Sequence, residues 1–297
     1  MSSVVNIFGI VAIGRNEGDR LRQCLVAARA VAPDATIVYV DSGSTDGSAD
    51  LARSFDAHVV DLDLSIPFTA ARARNEGLAK LLAVAPQTEF VQFIDGDCAL
   101  RPGWLDSAIA FLQAHPKAAA ACGRRRERFP EASIYNKLAD MEWDTPVGSV
   151  KSCGGDVLMR IAALQQVGGY NNDVIAGEEP ELCVRLRAAG WTIHRLDHEM
   201  TLHDAAMTRF GQWWKRNVRA GHAYAEGNVR HGAPPERFRA REVRSNWTWG
   251  LVAPVGTLVA TIATGIVLPR WSSVPPLLLM AGYAMLMLRI ARYRRSR

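Results

Sequence analysis

Three acidic clusters along this 297-residue chain carry residue types that could do chemistry. Asp95-Gly96-Asp97 directly follows the apolar run Phe90 to Ile94. In an extended segment residues i and i+2 project to one side, so both carboxylates can face one cation, and Gly96 lets a ligand approach the backbone. Two hard oxygen ligands with open positions suit Mg²⁺ or Mn²⁺ shared with substrate phosphates. Asp41 ends another apolar run, in Val38-Tyr39-Val40-Asp41-Ser42-Gly43-Ser44-Thr45-Asp46-Gly47. Its carboxylate can accept hydrogen bonds from a nucleobase imide or a ribose, while Ser44 or Thr45 can cap the helix that follows. The third cluster is Gly177-Glu178-Glu179-Pro180. Pro180 suits the first position of a helix. Glu179 would then lie beside the positive helix N-terminus, which keeps a carboxylate ionised as a general base must be.

The elements that position these clusters alternate in type. Apolar runs at 6–14, 36–40, 58–61 and 90–94 read as strands. Helical spacing appears over Leu21-Leu25-Ala28, over 45–55 and over 68–84. Strands alternating with such helices predict βαβ units and a mostly parallel sheet, whose ligands bind outside the carboxyl ends of the strands. The polar clusters fall at those ends. No G-x-G-x-x-G or Walker sequence follows the first strand, which argues against a dinucleotide dehydrogenase or a P-loop NTPase. Further on, 118–123 reads as a strand, 151–160 as a mixed segment, 181–189 as a helix and 208–232 as a long basic helix ended by Pro234-Pro235. His194, His198 and His203 sit in an expected strand–turn–strand without Cys partners, which does not favour zinc. Arg124-Arg125-Arg126 reads as an exposed basic run that could meet an anionic acceptor.

The net charge of +5 divides unevenly. Residues 1–208 sum to −7 and 209–244 to +6, and five Arg fall within 289–297. Without that tail the chain is neutral, so its basic character is no argument for nucleic acid. Five cysteines, odd in number, widely spaced and without C-x-x-C, favour neither a disulfide framework nor a structural zinc site. Residues 250–268 and 272–288 hold no charge over 19 and 17 residues. As helices they would rise about 28 and about 25 Å against a hydrocarbon core of about 30 Å. Pro269-Arg270-Trp271 links them, which predicts a helical hairpin that either spans the membrane or re-enters one leaflet. Basic residues on both flanks place the flanks and the acidic head on the cytoplasmic side of the inner membrane. The expected domains are a catalytic 1–208, a basic aromatic interfacial segment 209–249, the hairpin 250–288 and a polybasic tail 289–297.

Taken in order, the motifs resemble the family 2 glycosyltransferases of the GT-A fold across most of residues 6–225. The matches are Val11-Ala12-Ile13-Gly14-Arg15-Asn16-Glu17, Asp41-Ser42-Gly43-Ser44-Thr45-Asp46, Ala73-Arg74-Asn75-Glu76-Gly77 and Asp95-Gly96-Asp97. Gly154-Gly155 through Arg160 and Gly168-Gly169-Tyr170 follow, and Gly177-Glu178-Glu179 stands where the family has G-E-D. The resemblance implies an α/β GT-A domain that binds a nucleotide-sugar donor through Ile13, Arg15, Glu17, Asp41, Ser44, Arg74, Asp95 and Gly96. It also implies Mg²⁺ or Mn²⁺ on Asp97 and Asp95, with the late His203 near the metal or diphosphate. Glu179, or Glu178 beside it, would act as the base. Gly154, Gly155, Trp213, Trp214 and Arg216 would lie on the acceptor side.

By family habit the donor would be a UDP-sugar, and the reaction would invert the anomeric carbon. The hairpin adds membrane lipids as partners and a lipid-linked glycan or polyprenyl carrier as acceptor in cell-surface polysaccharide synthesis. Trp213, Trp214, Arg216 and Arg219 would meet the headgroup layer. Because Glu179 replaces the family's Asp, a membrane-bound nucleotide-sugar-binding scaffold without catalysis is the competing reading. Transfer to a polyprenyl phosphate is the other. Gln212-Trp213-Trp214-Lys215-Arg216 only partly matches Q-x-x-R-W, which weakens a processive reading.

Overall fold

The computed structural model describes residues 7–295, with side chains to Arg292. Asn6, at the head of the expected first strand, and the end of the basic tail lie outside the described residues. The chain divides into two compact units, residues 1–227 and 228–297.

The first unit is built on one mixed sheet. Strands β1 (Phe8–Gly14), β2 (Thr36–Asp41), β3 (His58–Asp61) and β4 (Phe90–Asp95) pair in parallel in the order β3-β2-β1-β4. Helices α1 (Asp19–Val31), α2 (Ser48–Arg53) and α3 (Ala70–Val84) make the crossovers. Residues such as Ile10, Val11, Val38 and Val91 are fully buried, as strands covered on both faces require. Helix α3 lies so close to the sheet that a Cβ on Gly77 would meet Val11 Cγ1 at 2.4 Å and Val40 Cγ2 at 2.9 Å. Strand order reverses between β1 and β4, and ligands of open α/β sheets bind in the crevice at such a switch point. Asp41 and Asp95, as the last residues of β2 and β4, reach that edge.

The sheet continues past β4 with β8 (Val157–Arg160), β6 (Ala118–Glu127), β9 (Thr192–His203) and β5 (Cys98–Leu100); β7 (Gly148–Ser149) pairs with β9. Here β8 runs antiparallel to β4 and β6, and β6 is parallel to β9. Helices α4 (Trp104–Ala114), α5 (Ile134–Trp143), α6 (Ile161–Gln166), α7 (Glu178–Ala188) and α8 (Phe210–His231) complete the connections, the last crossing into the second unit.

Four local expectations change. Helix α2 begins at Ser48, so neither Ser44 nor Thr45 caps it; Asp46 instead accepts from the Ser48 N–H at 3.0 Å and its hydroxyl at 2.6 Å. The expected turn within 194–203 is absent, because β9 runs through it and absorbs the misfit as irregular register against β6. Strand β6 extends to Glu127, four residues beyond the apolar run. Helix α7 starts at Glu178 behind Gly177, whose φ of 83° gives the left-handed cap, so Pro180 is its third residue. A proline fits there because the first four N–H groups of a helix have no intrahelical acceptor.

In the second unit α9 (Ala240–Trp247) passes through a wide turn at Thr248–Val252 into α10 (Ala253–Val267). The wide turn directly precedes Pro254, which has no N–H to offer a carbonyl one turn back. Pro269–Trp271 then turns the chain into α11 (Val274–Arg295). Tyr283 Oη donates to the Trp249 carbonyl at 2.6 Å, and Gly282 makes room for the Trp249 ring. Leu258, Val259, Ile262, Leu277, Leu278 and Met280 are all more than half exposed. Two helices, Ala240–Val267 and Pro269–Arg292, are long and apolar enough to cross a membrane, and as a pair they fit a membrane hairpin.

Candidate active site

Four loops meet at the carboxyl edge of the parallel strands. The loop after β1 is pinned to the loop after β2: Asn16 N–H donates to Ser44 Oγ at 2.9 Å, Thr45 N–H to Asn16 Oδ1 at 2.8 Å, and Gly18 N–H to Asp46 Oδ2 at 3.0 Å. Asp41 is 4% exposed, and its oxygens accept from Tyr39 Oη and from the N–H groups of Gly43 and Ser44. Ser44 thus organises the loop while Asp41 shapes its turn. The Ile13 carbonyl accepts the Gly96 N–H at 2.8 Å, which sets β1 and the Asp95-Gly96-Asp97 turn side by side. Arg15 is exposed at the rim. Glu17 pairs with Arg20 at 2.7 Å; burial, with Asp97 nearby, pushes its carboxyl above the usual range.

Arg74, on α3, is the hub. Its guanidinium is 2% exposed and donates to Asp95 Oδ1 at 2.7 Å and Glu178 Oε1 at 2.8 Å, joining the ends of β4 and α7. The Tyr170 ring lies 5.7 Å away. Gly155 packs against this pair, where a Cβ would come within 2.7 Å of Arg74 Nη2. Gly154, at φ 89°, turns the chain toward it. The adjacent Asn75 clamps the Gly168-Gly169-Tyr170 segment, donating to the Tyr170 carbonyl at 2.8 Å and accepting its N–H at 2.9 Å. On the far side Arg125 reaches Asp95 Oδ2 at 3.4 Å and the fully buried Asp156 at 2.9 Å. Burial, with Asp156 adding to it, pushes the Asp95 carboxyl up against the pull of Arg74 and Arg125. Arg74→Ala would leave Glu178 without its cation and Asp95 with Arg125 alone, and removing one partner of a buried pair costs about 3–5 kcal/mol. The expected result is a matching fall in the unfolding free energy of the full chain, measured by denaturant titration.

Asp97 faces the other way. Its Oδ2 lies 3.3 Å from His203 Nε2, the last residue of β9, and His203 Nδ1 lies 3.5 Å from Glu127 Oε2. Glu127 is 3% exposed and further held by the N–H groups of Phe129 and Ala205. Although burial opposes both charges, the His203–Asp97 hydrogen bond holds Asp97 down at about 2 and, with Glu127, lifts His203 to about 9. Among the candidate metal ligands the structure therefore joins Asp97 with His203, with Cys98 Sγ 3.5 Å from Asp97 Oδ1, and turns Asp95 toward two arginines. An ionised carboxylate and an imidazole that would release its proton as an ion binds, each partly open to solvent, fit Mn²⁺ or Mg²⁺. His194 and His198 lie elsewhere, beside the rings of Phe111 and Trp104.

Glu179 is 6% exposed. Its Oε1 accepts the Cys153 N–H at 2.6 Å and the thiols of Cys153 and Cys183 at 3.2 and 3.0 Å. Glu178, by contrast, gives its Oε1 to Arg74. The two neighbouring carboxylates so differ in kind, one neutralised by a cation and one held by neutral donors.

The acceptor-side residues divide as well. Trp213 packs beside Tyr135, and Arg216 pairs with Glu142 at 2.7 Å, so both fasten α8 to α5. Trp214 lines a cavity of about 740 Å³ with Phe68, Ile175 and Val218, together with Lys215, Arg219 and His222. Gly177 touches α8 at Ala223, which sets the start of α7 beside this cavity.

Sequence reasoning missed Arg125, Glu127, Asp156, Cys153 and Cys183. The expectation of an exposed run at 124–126 holds for Arg126 alone, which pairs with Glu199 at 2.7 Å on the surface; Arg125 is drawn inward to Asp95 and Asp156, and Arg124 pairs with Asp140 at 3.2 Å. Alternation along an extended β6 is the signal that would have put Arg125 and Glu127 on one side.

Comparison with known proteins agrees with this architecture. Residues 10–150 match the family model "Glycosyl transferase family 2". A pre-mycofactocin glycosyltransferase of Mycobacterium tuberculosis is 28% identical over 235 residues, covering 73% of this chain and 46% of that protein, so the chain spans about half the length of this relative. The succinoglycan biosynthesis protein ExoU of Rhizobium meliloti is 30% identical over 200 residues, covering 61% of this chain and 57% of ExoU. Among solved structures, the mannosyltransferase PcManGT of Pyrobaculum calidifontis, in complex with GDP-Man and Mn²⁺, superposes with a TM-score of 0.64 at 18% identity. That superposition covers 96% of this chain and 81% of PcManGT. With the ordered motifs, the family match and this fold, the chain carries over residues 10–150 a glycosyl transferase family 2 domain within an α/β fold of the GT-A type.

Proposed function

We propose that the protein transfers a sugar from a nucleotide-diphosphate sugar to a lipid-linked acceptor at the cytoplasmic face of the inner membrane, with inversion. The observation that carries this reading is that Arg74 joins Asp95 and Glu178, the neighbours of Asp97 and Glu179, at the carboxyl edge of the parallel strands, while the same unit holds a largely apolar cavity lined in part by Lys215 and Arg219. Asp41 and the paired loops after β1 and β2 would receive the nucleoside. Asp97 with His203 would hold Mn²⁺ or Mg²⁺ on the diphosphate, while Asp95 sets Arg74. The ion supplies Lewis-acid stabilisation of the charge that builds on the leaving diphosphate.

Glu179 is the better base of the two glutamates, because Glu178 is spent on Arg74. Neutral donors hold Glu179 Oε1, and no described residue donates to Oε2, which would take the proton from the acceptor hydroxyl as it attacks the anomeric carbon. The cavity, lined by apolar side chains with Lys215 and Arg219, suits a lipid chain with a phosphate, and the apolar hairpin would keep the domain where such acceptors are confined. The relative named for succinoglycan biosynthesis supports a glycan product. Detergent-purified full-length protein should transfer from one donor in a panel of nucleotide sugars to membrane lipid extract. Transfer to water-soluble sugars alone would contradict the lipid acceptor.

A further inference from the structure

Besides the Asp97–His203 pair, the first unit holds another convergence of ligand atoms, two soft sulfurs and one carboxylate oxygen. Cys153 Sγ, Cys183 Sγ and Glu179 Oε1 lie 3.6, 3.2 and 3.0 Å from one another. Tetrahedral Zn²⁺, with bonds of about 2.3 Å to sulfur and about 2.1 Å to oxygen, sets its ligands about 3.6–3.8 Å apart. The three atoms need to spread by only a few tenths of an ångström to close on an ion. Their backbone supports are firm. Glu179 and Cys183 are one turn apart on α7, and Cys153 is tied to Glu179 by its own N–H. Cys183 is fully buried, whereas Cys153 is partly open on the loop ahead of Gly154, which gives an ion a way in and leaves the fourth position for water.

We infer that Cys153, Cys183 and Glu179 form a binding site for a thiophilic divalent ion of the Zn²⁺ class, which inhibits transfer by occupying the Glu179 carboxylate. Two S–H bonds break and two sulfur–metal bonds form, the two protons pass to solvent, and no electron is transferred. The hard Mg²⁺ ion is a poor competitor for two thiolates, so this site and the one at Asp97 select different ions. The inhibition rests on Glu179 being the base; the binding does not.

The test uses Co²⁺ as a spectroscopic stand-in on the full chain in detergent, with excess Mg²⁺ and a phosphine reductant present. One equivalent should give the charge-transfer absorption of two thiolates on tetrahedral cobalt. The band should fall by about half or more in Cys153→Ser and in Cys183→Ser, and persist in Cys98→Ser, which reports the thiol beside Asp97. No thiolate band in the wild type, or one that survives in both Cys153→Ser and Cys183→Ser, overturns the site. Separately, micromolar Zn²⁺ should lower transfer at least tenfold in the wild type, and the ratio of rates with and without Zn²⁺ should return toward one in Cys153→Ser. A cobalt band without Zn²⁺ inhibition would overturn the inhibitory role, whereas a cobalt band in a protein that transfers no sugar at all would count against Glu179 catalysis and not against the metal site.

Discussion

Glu179→Gln is expected to abolish transfer while leaving donor binding intact. Removing a general base lowers the rate about 10²–10⁴-fold, and the amide oxygen of Gln can still accept the Cys153 N–H that now ends on Glu179 at 2.6 Å. The loss should therefore appear in kcat, with little change in the donor KM or the unfolding midpoint. Glu178→Gln should behave differently. It weakens the ion pair to Arg74 at 2.8 Å, so it should cost stability and donor affinity together. If Glu178→Gln lost only kcat and Glu179→Gln kept full activity, the two roles would be exchanged. Full activity in both would remove the base from this pair altogether.

The second large effect belongs to Asp97→Asn. Even residues that merely orient a metal ligand change affinity about 10–100-fold, so loss of the carboxylate itself should weaken metal-dependent donor binding at least about 100-fold, or about 2.7 kcal/mol. The fold should tolerate the change, because Asp97 is partly open to solvent and the amide keeps an oxygen toward His203 Nε2, now 3.3 Å from the carboxylate. Asp95→Asn is predicted to act by another route. It would weaken the pair with Arg74 at 2.7 Å and loosen the link between β4 and α7, so unfolding as well as binding should suffer. The two carboxylates of one short motif are thus separable by whether stability falls with affinity.

What the sequence revealed and what it hid follow from the range of the interactions involved. The parallel half of the sheet was legible because β1, β2 and β4 are buried apolar runs, and β2 and β4 end in Asp41 and Asp95. Asp41, Asp95 and Asp97 are local facts of that kind. The Arg74 hub was visible only as part of a motif, since its partners lie 21 and 104 residues away. Arg125 was hidden because a run of three arginines looks solvated until β6 is known to extend through it, which puts the middle one on the inner side. Cys153 and Cys183 looked like stray cysteines. Thirty residues, with β8 and α6 among them, separate them, and the packing of α7 against the Gly154 loop brings their sulfurs to 3.6 Å. The helix expected at Pro180 began two residues earlier because the left-handed Gly177 turns the chain first. That shift puts both Glu178 and Glu179 in the first turn, where their side chains diverge to different partners.

We read the carboxyl ends of the paired strands β1 and β4 as a metal-dependent nucleotide-sugar site. Calorimetric titration of the purified full-length protein with UDP- and GDP-sugars, in Mn²⁺ and again in EDTA, tests it most directly. The account predicts that one nucleotide sugar binds in Mn²⁺, that EDTA abolishes the binding, and that Asp97→Asn binds no better in Mn²⁺ than the wild type does in EDTA. Equal binding with and without metal, or an Asp97→Asn variant that binds like the wild type, would contradict it.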